Sequence, residues 1–427
     1  MPDTLIVDTI ARELTITPRQ VADTIDLLDE GNTIPFIARY RKEVTGGLDE
    51  VQLRQIQQRL EYLRRLTERK TTVLKSIAEQ GKLTPELQAS ITAAMTLQQV
   101  EDLYLPYKPK RRTRAMIARE RGLEPLAHVL LDPSALRGDL YTLAATFIGD
   151  DVPDAEAALA GARDIVAEVV SEDAQVRALV RTKTLNHGLV TVKLAAVDAD
   201  PGKKYEMYHD FAALLKDLPA HQLLAINRGE KEGVLKVRVD GPDEQIVADI
   251  GRRFAPNRRS AAAAQVAAAI DDGYARLIQP AIERELRGAL TEASDDHAIA
   301  TFTTNLRSLL LQPPLRRKRV MGIDPGFRTG CKVAIVDEMG KYLAHFTIFP
   351  HEPQRQWGEA KRLLASAISG AHIDVIAIGN GTASRESEQL VAEVIGELAD
   401  AKTRGEVAYA LVNEAGASVY SASPLAR

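Results

Sequence analysis

The sequence predicts a mainly α-helical, multi-domain scaffold followed by an incomplete α/β domain. Only 5% of the residues are aromatic while alanine is abundant, a balance that favours helix packing over β-sandwich or barrel cores. Apolar residues recur at helical spacing through the first part of the chain, whereas β-branched runs alternate with helical patterns after residue 315. With 427 residues, the chain is long enough for about two to four domains.

Residues 1–183 are predicted to form the first domain, a series of consecutive helices. Thr17 and Pro18 match the cap and first position of a helix. A long amphipathic helix is predicted by apolar residues at spacings of three and four: Leu53, Ile56, Leu60 and Leu63.

Residues 184–315 are predicted to form a central helical region with short strands. The runs 185–194 and 223–237 combine β-branched residues with turn-forming Gly and Asn, which predicts strands. Helical patterning then resumes and continues to about Leu311.

Residues 316–427 change character and are predicted to form an α/β domain. A three-stranded meander is followed by alternating helix and strand, the order expected of an RNase H-like domain. The predicted elements are strands 320–324, 332–336 and 343–349, helix 356–369, strand 375–379, helix 384–398 and strand 408–413. We expect no closing helices after the last strand, and hence a truncated domain.

Composition excludes several classes of protein. The single cysteine, Cys331, rules out an internal disulfide and a cysteine-based zinc site, and indicates a reducing compartment, the cytoplasm. The first residues lack a secretory pattern, and no stretch of eighteen apolar residues occurs, so we expect no membrane association. Because the net charge is −4, affinity for nucleic acid has to come from local basic patches.

Two basic patches stand out as candidate nucleic-acid-binding residues. The denser one has seven cations and one acid, Glu120, between residues 108 and 121, and Tyr104 and Tyr107 precede it as candidates for base stacking. A solvated basic face is the alternative interpretation. The candidate residues are Lys108, Lys110, Arg111, Arg112, Arg114, Arg119 and Arg121, with a second patch at Arg316, Arg317, Lys318 and Arg319.

Two acids at predicted strand ends, Asp324 and Glu414, are candidate catalytic residues. If their strands are parallel neighbours, the two carboxylates lie close enough to hold Mg²⁺, which prefers oxygen ligands. Glu386 and Glu388 are possible third acids, but acids in the first turn of a helix are favoured by the helix dipole in any case. The loop 379–384 offers backbone amides to a phosphate, or only caps a helix.

Several longer motifs resemble the Tex family of transcription accessory proteins. They are IPFIARYRKEVTGGLDE (34–50), VEDLYLPYKPKRRTRAMIARERGLEPLA (100–127), GARDIVAE (161–168), NRGEKEGVLKV (227–237), VMGIDPGFRTGCKVAIVD (320–337), IGNGTASRESE (378–388) and VNEAGASVYSASPLA (412–426). The resemblance implies a helical scaffold with a helix-turn-helix-like module and a YqgF domain of RNase H-like fold. It also implies helix-hairpin-helix units and an OB-fold RNA-binding domain, which are expected to lie beyond Arg427.

What the resemblance implies is a non-catalytic scaffold that binds RNA or DNA in transcription, with RNA polymerase or the ribosome as a protein partner and no cofactor. The alternative is a Mg²⁺-dependent nuclease or Holliday-junction resolvase that uses Asp324 and Glu414. The resemblance places the third acid of this nuclease pattern beyond Arg427. A third hypothesis, an ATPase of the actin and sugar-kinase type, rests on the likeness of GIDPGFRTG to a phosphate loop. The glycines 379–381 lack the acid which that class places before its second loop.

Overall fold

A computed structural model describes residues 2–132, 134, 139–254, 262–311, 313, 315–398, 407–423 and 426. The chain divides into two compact units, Met1–Ser294 and Asp295–Arg427. The first is helical with one small sheet, and the second is built on a five-stranded sheet. The predicted fold class is therefore confirmed.

The first unit begins with a helical cluster whose core is aliphatic. Thr17 caps its helix through a capping box, in which its side chain accepts from Gln20 N–H, and Pro18 occupies the first turn. The predicted long helix spans Glu50–Glu79, and the apolar face from Leu53 to Leu63 is buried. The helices are α1 (Pro2–Leu14), α2 (Pro18–Asp29), α3 (Ile34–Tyr40), α4 (Glu50–Glu79), α5 (Pro85–Ala93) and α6 (Leu97–Tyr104).

A second hydrophobic core of this unit is centred on one buried helix, α10. Its small residues Ala158, Ala162 and Ala167 let neighbouring helices approach closely. The helices are α7 (Arg114–Glu120), α8 (Glu124–Leu131), α9 (Leu140–Ala145), α10 (Ala155–Glu172), α11 (Ala174–His187), α12 (Ala220–Lys231), α13 (Asp243–Phe254), α14 (Ala263–Gly273) and α15 (Gln279–Leu310). A single π-helical turn, Tyr274–Ile278, joins α14 to α15.

The small sheet of the first unit has three antiparallel strands: β1 (Leu189–Leu194), β2 (Asp210–Leu214) and β3 (Leu235–Asp240), in the order β2-β1-β3. The predicted run 185–194 therefore contains a strand, although α11 covers its first residues. The predicted run 223–237 is wrong over its first part, because 223–231 belong to α12. Its apolar residues Leu223 and Ile226 are three positions apart and both are buried, so they form a helix face.

The second unit has a mixed sheet in the order β6-β5-β4-β7-β8. The first three strands form an antiparallel meander, and β4, β7 and β8 run parallel. This is the topology predicted from the element order. The elements are β4 (Val320–Asp324), β5 (Cys331–Val336), β6 (Tyr342–Ile348), α16 (Trp357–Ala371), β7 (Val375–Gly379), α17 (Ser384–Glu397), β8 (Ala408–Val412) and α18 (Ala415–Ala422).

The core of this unit lies on one face of the sheet, against α16 and α17. Met321, Ile323 and Ile376 are buried there, alongside Leu364 and Leu390 of the two helices. We expected no helix after the last strand, and this was wrong: α18 follows β8 directly, because Glu414 ends the extended run and small residues continue as a helix.

Candidate nucleic-acid interface

The basic segment, residues 108–121, packs on the buried helix α10. Lys108 to Thr113 form an irregular stretch, and Thr113 then caps α7 by accepting a hydrogen bond from Met116 N–H (3.1 Å). Ala115 and Ala118 bury the inner face of α7 in the second core. The segment is therefore held in a fixed position.

One carboxylate, Glu168 of α10, organises the inner side of the basic segment. The Arg119 guanidinium donates to it (2.6 Å), as does the Thr113 hydroxyl (3.1 Å), and Lys110 Nζ lies 3.6 Å away. Burial raises the pKa of the Glu168 carboxyl, but Arg119 and Lys110 outweigh burial and hold that pKa below its ordinary value. Lys110 also pairs with Glu172, whose pKa is raised by burial. Lys110 and Arg119 thus neutralise buried acids.

The remaining cations of the segment are exposed. Arg112 forms an ion pair with Glu120 (2.6 Å) in which both side chains are more than half exposed, so the pair contributes little. Within the described ranges, four cations have no carboxylate within 4.0 Å: Lys108, Arg111, Arg114 and Arg121. Of these, Arg114 still interacts electrostatically with Asp164 and Asp272, and its charge acts to lower the pKa of both carboxyl groups. The structure thereby separates the seven predicted residues into an anchoring pair, Arg112 in an exposed ion pair, and four exposed cations without a close carboxylate.

The tyrosines next to the segment do not form a stacking platform. Tyr104 is buried, its hydroxyl lies 3.0 Å from Ser76 Oγ, and the Arg69 guanidinium covers its ring at 5.4 Å. Tyr107 is half-buried and packs against the first core. The prediction that Tyr104 stacks on bases is wrong, because helix packing hides its ring.

The tetrad 316–319 is also divided. Arg316 and Arg317 are exposed, whereas Lys318 pairs with Asp374 (3.2 Å). The Arg319 side chain donates to Glu338 and to the carbonyl of Ala371 (both 3.1 Å). The latter two cations fasten the start of β4 to its surroundings.

The candidate acids lie at one edge of the large sheet but on strands that are not neighbours. Strand β7 separates β4 from β8, so the condition under which Asp324 and Glu414 were expected to share a site, that their strands are neighbours, is not met. Asp324 is largely exposed and lies 3.5 Å from Lys332 Nζ on β5. The end of β7 lies between Asp324 and Glu414: a Cβ added to Gly379 would meet both the Glu414 carboxylate and Pro325 Cδ, next to Asp324.

Glu414 instead lies over the loop that joins β7 to α17. A Cβ added to Gly379 or Gly381 would overlap its carboxylate, so both glycines are required for this close approach. The Glu414 N–H also donates to Asn380 Oδ1 (3.4 Å). The loop that could offer its amides to a phosphate therefore already faces a carboxylate, which disfavours both phosphate binding there and the ATPase hypothesis.

Neither possible third acid completes a metal site. Glu386 lies in the first turn of α17, and Glu388 is two residues further along the same helix. The described part of the chain contains no group of three His, Cys, Asp or Glu side chains that could hold a metal ion. Cys331 is buried, and its sulfur lies 3.6 Å from Ser387 Oγ.

Glu168 was not among the predicted site residues, although it lies in the motif GARDIVAE (161–168). Its signal is an acid at a helical spacing of three from the buried Ile165, on the apolar face of α10. Such a position requires a partner, because a buried charge is costly when unpaired.

No helix within the described ranges combines the length and hydropathy needed to cross a membrane.

Fold and site together define a helical scaffold with exposed cationic patches, followed by an RNase H-like sheet domain. Three family models match in turn: the Tex-like protein N-terminal domain at residues 4–78, the Tex central region-like domain at 138–302 and the Tex protein YqgF-like domain at 318–427. The chain belongs to the Tex family.

Named relatives agree with this assignment. The chain is 44% identical to Protein tex of Bordetella pertussis over 99% of its own length, and 42% identical to Transcriptional accessory protein Tex of Neisseria gonorrhoeae over 98%. Each match covers 54% of the relative. A more distant relative is S1 RNA-binding domain-containing protein 1 of Homo sapiens, at 33% identity over 98% of this chain and 43% of the relative. The chain thus spans about half the length of these relatives.

Proposed function

We propose that the chain is a nucleic-acid-binding transcription accessory factor that acts as a non-catalytic scaffold. The observation that carries the proposal is a group of four exposed cations on the anchored basic segment, none of which has a carboxylate within 4.0 Å among the described residues. Cations on a fixed backbone neutralise phosphates and release counterions without ordering a flexible loop first. The names of the relatives, a transcriptional accessory protein and a protein with an S1 RNA-binding domain, support a role of this kind.

We further propose that the chain acts in the cytoplasm, with RNA polymerase or the ribosome as its protein partner. Co-sedimentation of the purified chain with each of these particles distinguishes the two. The helix-turn-helix-like module that the family resemblance implies remains part of this proposal.

The placement of the acids supports the proposal that the chain is non-catalytic. Two-metal hydrolysis of a phosphodiester holds ions about 3.5–4 Å apart, which calls for several converging carboxylates. Within the part of the chain described, Asp324 and Glu414 are two strands apart and lack a third partner.

The direct test replaces the four outward cations by glutamine. We expect the affinity for a fluorescent 20-nucleotide uridine RNA to fall at least about tenfold, and the slope of log K against log salt to become shallower by about 3, because about 0.7 is lost per phosphate contact. Fluorescence anisotropy in 50–200 mM salt measures both. The variant is K108Q/R111Q/R114Q/R121Q.

A matched control removes four exposed cations that the structure shows in ion pairs: R19Q/R54Q/K203Q/K204Q. Its binding should stay within about twofold of the unmodified chain. Equal affinities for the two variants would refute the role of the basic segment. In parallel samples with Mg²⁺ the RNA should be recovered at full length, and cleavage abolished by Asp324→Asn would refute the non-catalytic assignment.

A further inference from the structure

The outward face of the small sheet in the first unit carries charged side chains that form no ion pair among the described residues. Its inward residues, including Val190, Val192 and Val239, are buried in the core. Alternation along the strands places the other set on the opposite face, where solvent reaches it. The outward set is Leu214, Leu189 and Asp240 in one row, Ala212, Thr191 and Arg238 in the next, and Asp210, Lys193 and Lys236 in the third.

Three cations of this face lie together without a direct partner. Lys193 and Lys236 are directly opposite each other in the β1–β3 register, and Arg238 is the next outward residue along β3. Like charges opposite each other in a sheet are destabilising. None of the three has a carboxylate within 4.0 Å among the described residues.

The carboxylates on the face do not relieve this repulsion fully. Asp240 accepts a hydrogen bond from the Thr191 hydroxyl (2.7 Å) instead of from a cation. Asp210 is the register partner of Lys193 on its other side, but forms no close ion pair with it. Three cations and two carboxylates leave the face with a net charge of +1, and the cations are concentrated on β1 and β3.

We propose that this outward face is a second contact surface for the phosphate backbone of nucleic acid, separate from the basic segment. The proposal rests on the nucleic-acid binding proposed above. Phosphates placed between Lys193 and Lys236 would replace the repulsion of two like charges with attraction and release their counterions. Thr191 and Ala212 have small side chains, so a nucleic-acid strand can approach the sheet closely.

None of the nine outward residues is aromatic. The face therefore has no ring on which a base can stack, and it contacts the backbone without reading sequence. Binding at this surface should be tolerant of base identity and strongly dependent on salt.

The test compares two charge-matched double variants of the full chain. In K193Q/K236Q the exposed, unpaired lysines are removed, whereas K203Q/K204Q removes two lysines of the same unit that pair with Glu206 and Glu232. We expect K193Q/K236Q to bind the uridine RNA about tenfold more weakly, with a slope shallower by about 1.4, and K203Q/K204Q to change binding less than about twofold.

A third variant, Asp210→Asn, removes the carboxylate beside Lys193. It should tighten RNA binding by about threefold, a gain that misfolding cannot produce. Equal binding by the two double variants, or no gain for Asp210→Asn, would overturn this inference while leaving the basic segment intact. Binding of polyglutamate, but not of RNA, that depends on Lys193 and Lys236 would overturn it in favour of an acidic protein partner. If the unmodified chain does not bind RNA at all, the proposed function fails and this inference fails with it.

Discussion

Asp102 of α6 is the residue on which a buried charge network depends. It accepts hydrogen bonds from Arg177 Nε (2.9 Å) and from Arg181 Nη2 (2.8 Å), both on α11. Glu285 of α15 completes the network by pairing with Arg181 and lying 3.6 Å from Arg177. The Asp102 and Arg177 side chains are only 5% and 10% exposed, so neither can recover its hydration if the partner is lost.

We expect Asp102→Asn to lower the free energy of unfolding by about 3 kcal/mol, because two buried guanidinium groups then share a single carboxylate. Glu50→Gln is the control, since its pair with Arg54 is about half exposed and should contribute less than about 0.5 kcal/mol. Urea titration followed by circular dichroism compares the two. Similar losses of stability in both variants would show that burial of the network has little energetic effect.

At the scale of elements, a polar contact joins β5, the chain after β6 and α17. Ser387 of α17 lies between Cys331 Sγ (3.6 Å) and His351 Nε2 (3.1 Å), and all three residues are buried. The His351 ring also contacts the rings of Phe327 and Trp357, at 5.6 and 6.3 Å between centroids. Burial lowers the pKa of His351 below its ordinary 6.5, against an opposing effect of Glu386.

This lowered pKa predicts a stability that depends on pH. The unfolded state takes up a proton at His351 near pH 6.5, before the folded state does, so the free energy of unfolding falls as the pH decreases below that value. Fluorescence of Trp357, the single tryptophan, reports unfolding around His351. The urea midpoint should fall more between pH 7.5 and 5.5 in the unmodified chain than in His351→Gln. The same pH dependence in both proteins would contradict the assignment to His351.

The elements of the second unit could be predicted because each is marked by local signals. Strands β4 and β7 are short apolar runs that end in Asp324-Pro325 and Gly379-Asn380, and both observed bounds equal the predicted ones. The first unit was harder to predict. Strand β2 was missed, since its residues Ala212 and Ala213 have little β-propensity and pair only through β1.

The sequence showed which segment of the candidate interface is rich in cations, but not which of those cations are exposed. Counting cations between 108 and 121 identified the segment, but the partners of Lys110, Thr113 and Arg119 lie 49 to 62 positions further along the chain. Local patterns do not show such contacts. For the same reason the lysines of β1 and β3, which are distant in sequence, were not recognised as one group before their register was known.

At the scale of the whole molecule, the chain is acidic, with a net charge of −4, yet it presents local groups of exposed cations. A long-range field of the whole protein therefore does not attract phosphates, and binding has to depend on short-range contacts at these groups. Each contact between a cation and a phosphate releases counterions, so the slope of log K against log salt is proportional to the number of contacts.

The salt dependence of RNA binding by the unmodified chain is thus the measurement that tests the account most directly. Six contacts are proposed, at Lys108, Arg111, Arg114, Arg121, Lys193 and Lys236. Anisotropy titrations of the uridine RNA in 50–200 mM salt should give a straight line of log K against log salt with a slope of about −4. Binding that does not change with salt, or no binding in 50 mM salt, would contradict the account.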